Sequence, residues 1–319
     1  MLGAGGVVGV SYIVGALGAL HDVAGFDASQ ADLIVGTSAG ALVGALLRSG
    51  MPSSDLYALA HSDDDPARDA FAPAFSGPID LARRGVGSAC TMARAFGIAA
   101  HVGAPDFLRR AFPSGFFTLR DVLDDLSALL DRPWPDRPLY LCACDLETRR
   151  RVVFGTPSAP SVPLPVAVQA ACAIPGFYEN VTIDGHDYVD GGVVSSSNLD
   201  LAAGYDLVIG VIPMSYDRTS ARPSLHPYRL AVEVFRLYPT RSLRAEMMAV
   251  RDSGSRVVVI RPTVFEAQRH GFNLMSVRDR LKVADKARKT VTQSLATGRL
   301  AAVLGEFGYG LGRTGSRSA

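Results

Sequence analysis

Leu33-Ile34-Val35-Gly36-Thr37-Ser38-Ala39-Gly40 is the stretch that decides how this chain of 319 residues is read. An apolar run ends, a glycine-flanked serine follows, and an Ala/Leu-rich segment takes over from Ala39 to Arg48. The pattern predicts a strand, a sharp turn and a helix, with Ser38 at the apex of the turn. Gly36 and Gly40 stand where a Cβ would collide with neighbouring backbone. A serine presented this way is a nucleophile that needs a base. The same pentapeptide also fits a plain strand–helix turn whose serine merely caps the helix, so the rest of the chain has to decide.

Outward from the elbow, strands and helices alternate. Val10 to His21 is expected to be a mostly buried helix after a Gly-rich loop at 1–9, and Asp32 to Val35 a short buried strand. Gly50 is a helix stop, and Met51-Pro52-Ser53-Ser54 a turn and N-cap for a helix near Asp55 to His61. Leu119 to Leu130 is read as a helix, then Arg137 to Leu146 and Arg151 to Phe154 as a hairpin. Further on come a helix at Val166 to Cys172, two strands around Gly185 and a strand at Leu207 to Ile212. Helix at 228–252, a strand at Arg256 to Arg261 and a long helix at Val277 to Thr297 complete the pattern. This alternation predicts an α/β protein, a three-layer α/β/α sandwich with a central, mostly parallel sheet. Residues 1–305 are expected to form one domain, with 62–115 as a cap or insertion and 216–305 as a C-terminal helical extension carrying one strand. Residues 306–319 are expected to be a flexible tail.

The bulk numbers narrow the function. At 48% hydrophobic content the chain can bury a large core, and 32 basic against 31 acidic residues, interspersed, leave a net charge of +1 and no nucleic-acid partner. Cys90, Cys142, Cys144 and Cys172 show neither a zinc spacing nor a disulfide framework, so reduced thiols in a cytoplasmic protein are expected, with no metal and no cofactor. The first twenty residues carry no charge. A signal peptide would have a basic start, and a spanning helix would not be so rich in glycine at its beginning, so a buried strand–loop–helix is the expectation there.

Two further motifs carry chemistry. Asp190-Gly191-Gly192 follows the strand-like Ile183 to Val189, which would deliver a carboxylate into a glycine turn. An Asx-type turn is the competing reading. Gly3-Ala4-Gly5-Gly6-Val7-Val8-Gly9 fits three uses. A phosphate-binding Walker loop fails because Val10 follows Gly9 where Lys is required. A dinucleotide fingerprint needs a preceding strand, for which only Met1 and Leu2 are available. The third use is an oxyanion hole, in which each backbone N–H donor is typically worth about 2.7–4 kcal/mol of transition-state stabilisation. For the base, His226 and His270 follow Asp190 in the order an α/β-hydrolase triad would use. His226 stands among prolines and His270 in a charged stretch, while His21, His61, His101 and His186 are no better placed, which leaves Asp190 as the strongest candidate.

Together the three motifs resemble the patatin-like phospholipases, lipid acyl hydrolases with a Ser–Asp dyad. Gly36-Thr37-Ser38-Ala39-Gly40 is similar to that family's nucleophile motif, Asp190-Gly191-Gly192 to its acid motif and residues 3–9 to its oxyanion loop. Ala170 to Phe177 and Asn198 are similar to the blocks around the catalytic Asp, so the resemblance spans roughly residues 1–215. It implies Ser38 as nucleophile and Asp190, raised in pKa, as base, with Gly5, Gly6 and Val7 donating N–H groups to the oxyanion and Gly9, Gly36, Gly40, Gly191 and Gly192 as structural glycines. The chain departs from the family at Val8, where Arg or Lys is usual, and at Ala4, where Gly is usual. The resemblance also implies a strand before the loop, so either the sheet is short of one strand or the chain starts downstream of the natural beginning. The expected partner is a lipid or acyl ester, reached through transient contact with a membrane surface, although no amphipathic basic helix announces one. Arg149-Arg150-Arg151 is a candidate for anionic headgroups against the alternative of a solvated strand edge. A non-catalytic scaffold of the same fold and an acyltransferase of related fold are the competing functions; Ala39, where an acyltransferase would carry His, speaks against the latter.

Overall fold

The computed structural model describes residues 1–61, 72–97, 106–131, 133–217 and 226–310. In chain order the elements are α1 (Gly6–Ala24), β1 (Ile34–Thr37), α2 (Ala39–Arg48), α3 (Ser53–Ala60), β2 (Ala72–Pro73), α4 (Pro78–Ala95), α5 (Asp106–Ala111) and β3 (Phe117–Thr118). Then come α6 (Arg120–Asp125), α7 (Ser127–Leu130), β4 (Leu139–Asp145), β5 (Arg151–Phe154), α8 (Leu164–Cys172), β6 (Val181–Ile183), β7 (His186–Asp190) and β8 (Leu207–Val211). The last are α9 (Pro227–Phe235), α10 (Leu237–Asp252), β9 (Arg256–Ile260), α11 (Val264–His270), α12 (Arg280–Thr297) and α13 (Arg299–Glu306).

Leu2 lies in the middle of the sheet. Its N–H donates to the Val35 carbonyl at 2.8 Å and its carbonyl accepts from Thr37 N–H at 3.0 Å, while Gly3 N–H donates to Val211 at 2.9 Å. Leu2 therefore bridges β1 and β8 in parallel sense. The two residues available before the loop supply the connection that the resemblance requires. β8 pairs in parallel with β9, and β1 in parallel with β4. Beyond β4 the direction changes, because β5 and β7 both run antiparallel to β4 and β6 antiparallel to β7. The sheet is thus mixed, with its parallel half built around Leu2. α2 and α8 pack on β1, β4 and β7, and α10 and α13 pack on β9, giving an α/β/α sandwich. A separate short pair, β2 with β3, is antiparallel.

α1 is apolar on every side up to Leu20, which suits a helix enclosed by the fold, and reaches solvent at Asp22 near its end. By length and composition it could cross a membrane; 78% of its most apolar window is buried inside the fold, against α12, α3 and α2. Ile13, Leu17 and Leu20 are fully enclosed, each contributing roughly 1.5–3 kcal/mol relative to exposure. The close crossing with α12 depends on Gly15, where any Cβ would overlap the Ala284 carbonyl.

The structure departs from the sequence expectations in several places. α1 starts at Gly6 rather than Val10, because Gly6 at φ 59 lets the helix begin immediately after an extended Gly5. β1 continues through Gly36 and Thr37. The helix expected over 119–130 is broken at Leu126 into α6 and α7. Ser53 is not a cap but lies inside α3, where its hydroxyl bonds Asp27 at 3.3 Å. The chain stays packed through Gly310, with the Tyr309 ring 5.2 Å from Phe26 and Gly310 N–H bonded to Ala24. The expected tail beyond that, 311–319, lies outside the described residues, as do 62–71 and 98–105 of the expected cap.

Gly15→Ala is expected to force α1 and α12 apart at a cost of about 1–3 kcal/mol, lowering the thermal midpoint by about 2–4 °C per kcal/mol. Calorimetry of the variant beside the parent checks this.

Candidate active site

β1 and β7 deliver the two candidate catalytic residues to one place. Thr37 lies opposite Cys142 and Asp190 opposite Ala143, so both strands end over consecutive residues of β4. The C-terminal end of α8 and its capping residue then fix each backbone. Ser38 N–H donates to Ala171 at 3.2 Å and Asp190 N–H donates to Ala173 at 2.9 Å. Two carbonyls two residues apart thus hold nucleophile and acid at a fixed separation.

Ser38 has φ 54 and ψ −120, a conformation that costs a non-glycine residue on the order of 1–3 kcal/mol. Its carbonyl opens α2, accepting from Ala41 at 2.7 Å and Leu42 at 3.2 Å, and also receives the Cys172 thiol at 3.2 Å. Gly40 carries the tightest contact, since a Cβ there would overlap the Leu2 carbonyl. The Ser38 side chain makes no cap bond to α2. Its hydroxyl instead acts on the Asp190 carboxyl, favouring the ionised form, which speaks against the plain capping reading of the pentapeptide.

Asp190 is buried and pushed up to a pKa of about 6. Burial is the dominant cause; the bonds from Ser38 and from Gly192 N–H oppose it, the latter at 2.7 Å. The Asx-type turn therefore forms as well, through one carboxylate oxygen. Burial likewise raises the Cys172 thiol, with the Asp190 charge adding to it, so this neighbour stays protonated at neutral pH.

The Gly-rich loop is the start of α1. Val8 N–H donates to Leu274 at 3.0 Å and Gly9 N–H to Gly5 at 2.8 Å. Among the described residues, the N–H groups of Gly5, Gly6 and Val7 donate to no acceptor. Unbonded first-turn donors are what a helix N-terminus offers an anion, and the N-terminus of α2 opens at Ser38 beside them. Gly6, Val7 and Ser38 share a cavity of about 110 Å³. Apart from this rim the cavity is apolar, with walls from Leu56 and Leu59 of α3, Leu119, Val122, Leu126 and Met275.

The other sequence candidates fall elsewhere. His270 packs edge-on against Tyr12 and is pushed down to about 3 by burial and by the Arg236 charge. His226 is exposed at the start of α9. Arg151 is not free for a headgroup: it pairs with Asp200 at 2.7 Å and bonds Asn198 at 3.0 Å. Asn198 in turn donates to the Thr37 hydroxyl at 2.9 Å, so this chain of bonds braces the elbow from behind. The described parts of the expected cap, α4 and α5, contribute nothing to the cavity wall. Sequence reasoning missed the wall formed by α3, α6 and Met275. The spacing of Leu119, Val122 and Leu126 at helical intervals was the available signal for the α6 part.

A strained elbow serine, a buried aspartate, unbonded backbone donors and an apolar cavity are the parts that a serine-hydrolase type of site requires, here on an α/β/α sandwich. The sequence pattern of the patatin-like phospholipase family matches residues 1–203, more than half of the chain. The chain belongs to that family, whose members are typically serine hydrolases acting on lipid acyl esters. No individual curated protein matches the chain.

The raised pKa of Asp190 has a consequence for stability. The ionised carboxylate is destabilising at any pH above its unfolded value, and a rise of about two units corresponds to roughly 3 kcal/mol. The penalty is complete above about pH 6, shrinks as pH falls toward 4 and vanishes below, where both states are protonated. Asp190→Asn, which keeps an oxygen for Gly192, is therefore expected to unfold at a higher temperature than the parent at pH 7.5, with the difference gone at pH 3.5. Thermal melts at the two pH values check the sign.

Proposed function

We propose that this protein hydrolyses lipid acyl esters through a Ser38–Asp190 dyad. The observation that carries the reading is the strained Ser38 held beside the buried Asp190 carboxyl, through Ala171 and Ala173, at the polar end of an apolar cavity; burial pushes that carboxyl up to about 6. A carboxylate at its ordinary value would be a weak proton acceptor at neutral pH; desolvation raises its basicity while leaving it mostly ionised at pH 7.

In the proposed sequence, Ser38 Oγ attacks the ester carbonyl carbon as its proton passes to Asp190. The N–H groups of Gly5, Gly6 and Val7 receive the oxyanion, aided by the positive ends of α1 and α2. The carbon–oxygen bond to the alcohol then breaks and the alcohol leaves with the proton from Asp190. Water next attacks the acyl-Ser38 carbonyl, giving its proton to Asp190. As the Ser38–acyl bond breaks, the fatty acid departs and Asp190 returns the proton to Ser38 Oγ. The acyl chain occupies the cavity between α3 and α6 during both halves.

Ser38→Ala and Asp190→Asn are each expected to lower kcat/KM on an acyl ester by at least a hundredfold, and a fluorophosphonate probe should label the parent at Ser38 alone. A folded Ser38→Ala variant that keeps more than a few per cent of the activity would overturn the assignment. For the parent, kcat/KM should fall tenfold per pH unit below about pH 6, as Asp190 takes up its proton, and level off above. Leu119→Trp, which fills the cavity, should raise KM for an octanoyl or longer ester at least tenfold and leave turnover of an acetyl ester within about twofold.

A further inference from the structure

The C-terminal part of the chain, beyond the residues matched to the family, presents a surface of unusual composition. On α9 and the start of α10, Tyr228, Leu230, Val234, Phe235 and Tyr238 are exposed, Tyr238 by 71%. Tyr238, Arg241, Ala245 and Met248 follow at spacings that place them on one face of α10. Over α9 and α10 the exposed charges are Arg229, Arg241, Arg244 and Arg251, with Asp252 at the C-terminal end of α10 as the one exposed carboxylate. The other two carboxylates on these helices are turned away. Glu233 accepts from the Gln268 amide at 2.8 Å, and Glu246 accepts from the Ser197 hydroxyl and the Leu199 N–H at 2.7 Å each. An aromatic and aliphatic face whose exposed charges are four arginines against one terminal aspartate is complementary to an anionic lipid interface.

The face is continuous with the site. The Phe272 ring stacks edge-on with Tyr228 at 5.6 Å and with Phe235 at 5.7 Å. Two residues later Leu274 accepts the Val8 N–H at the oxyanion loop, and Met275 lines the cavity beside Ser38. We propose that the exposed face of α9 and α10 docks the protein on an anionic membrane surface, setting the cavity over its lipid substrate. A second copy of the chain would be a poor occupant, since a self-complementary contact would bring arginine against arginine. The use of the surface rests on the hydrolase reading, but the binding itself does not.

The test is co-sedimentation with large vesicles of phosphatidylcholine alone or with one-third phosphatidylglycerol, using protein carrying Ser38→Ala so that no lipid is consumed. Binding to the anionic vesicles is expected to be at least tenfold tighter than to the neutral ones and to weaken at 0.5 M salt. Arg241→Glu with Arg244→Glu, and separately Val234→Ser with Tyr238→Ser, should each lower it more than tenfold. Neither pair should shift the melting temperature or the turnover of a water-soluble acetyl ester by an otherwise unaltered enzyme. Equal binding to both vesicle types, no binding, or variants that bind like the parent would overturn the proposal. So would a concentration-dependent dimer that the same substitutions abolish, which would make the face a protein contact. Vesicle binding without ester turnover by the parent would instead count against the hydrolase reading alone, and turnover without vesicle binding against the docking surface alone.

Discussion

The carbonyl of Leu2 is the point on which the rest of the molecule converges. It accepts the Thr37 N–H, and the backbone of Gly40 rests directly on it. Through Leu2 the β8–β9 pair joins the larger sheet, through Gly3 and Gly5 the chain enters α1, and through Gly40 the first turn of α2 is seated. One residue thus ties the Gly-rich loop to the turn at Ser38 at backbone distance. No side chain intervenes, so the relation between the free donors of α1 and the Ser38 hydroxyl is set by peptide geometry. Such a relation is far stiffer than one carried by rotatable side chains.

The same economy appears at the acid. Asp190 is held by its own backbone bond to Ala173 and by Gly192 N–H, leaving Ser38 as its side-chain partner. No cation stands among the causes that set its pKa; burial outweighs the two hydrogen bonds. A paired carboxylate would be more stable and less basic. An unpaired one is a local weakness in the fold, and the surrounding core of α1, α2 and α8 tolerates it. The strained φ of Ser38 belongs to the same account: both residues sit in states that the chain would abandon if Ala171 and Ala173 did not hold them.

Much of the local architecture was legible because it rests on short-range chemistry. The elbow glycines, the Ala39–Arg48 helix, the hairpin across 139–154 and the strand into Asp190 all follow from spacing and turn residues. What resisted reading was long-range. That two residues suffice to bridge the sheet could be seen only once β8 was placed beside β1. Arg151 looked like one of three surface arginines, and its inward bonds depend on Asp200 and Asn198, some fifty residues on. The histidines that kept a triad open by chain order were separated from Ser38 only when α11 was seen to carry His270 against Tyr12. The basic, aromatic face of α9 and α10 escaped notice because Glu233 and Glu246, exposed in a linear reading, turn inward to Gln268, Ser195 and Ser197.

These long-range contacts also show why the site cannot be confined to the residues matched to the family. Val8 N–H finds its acceptor in Leu274, and the backbone there crowds Gly6 so closely that no side chain could replace its hydrogen. Leu274 and Met275 lie on the segment between α11 and α12, about seventy residues beyond the matched region. The C-terminal part therefore closes one side of the oxyanion loop and walls the cavity, and α12 presses α1 into place at Gly15. Because Val8 occupies the position where the family usually carries a basic residue, the loop has no side-chain charge of its own to anchor it. The backbone bond to Leu274 performs that anchoring here, so the conformation of the donors depends on the last third of the chain as directly as on the Gly-rich sequence itself.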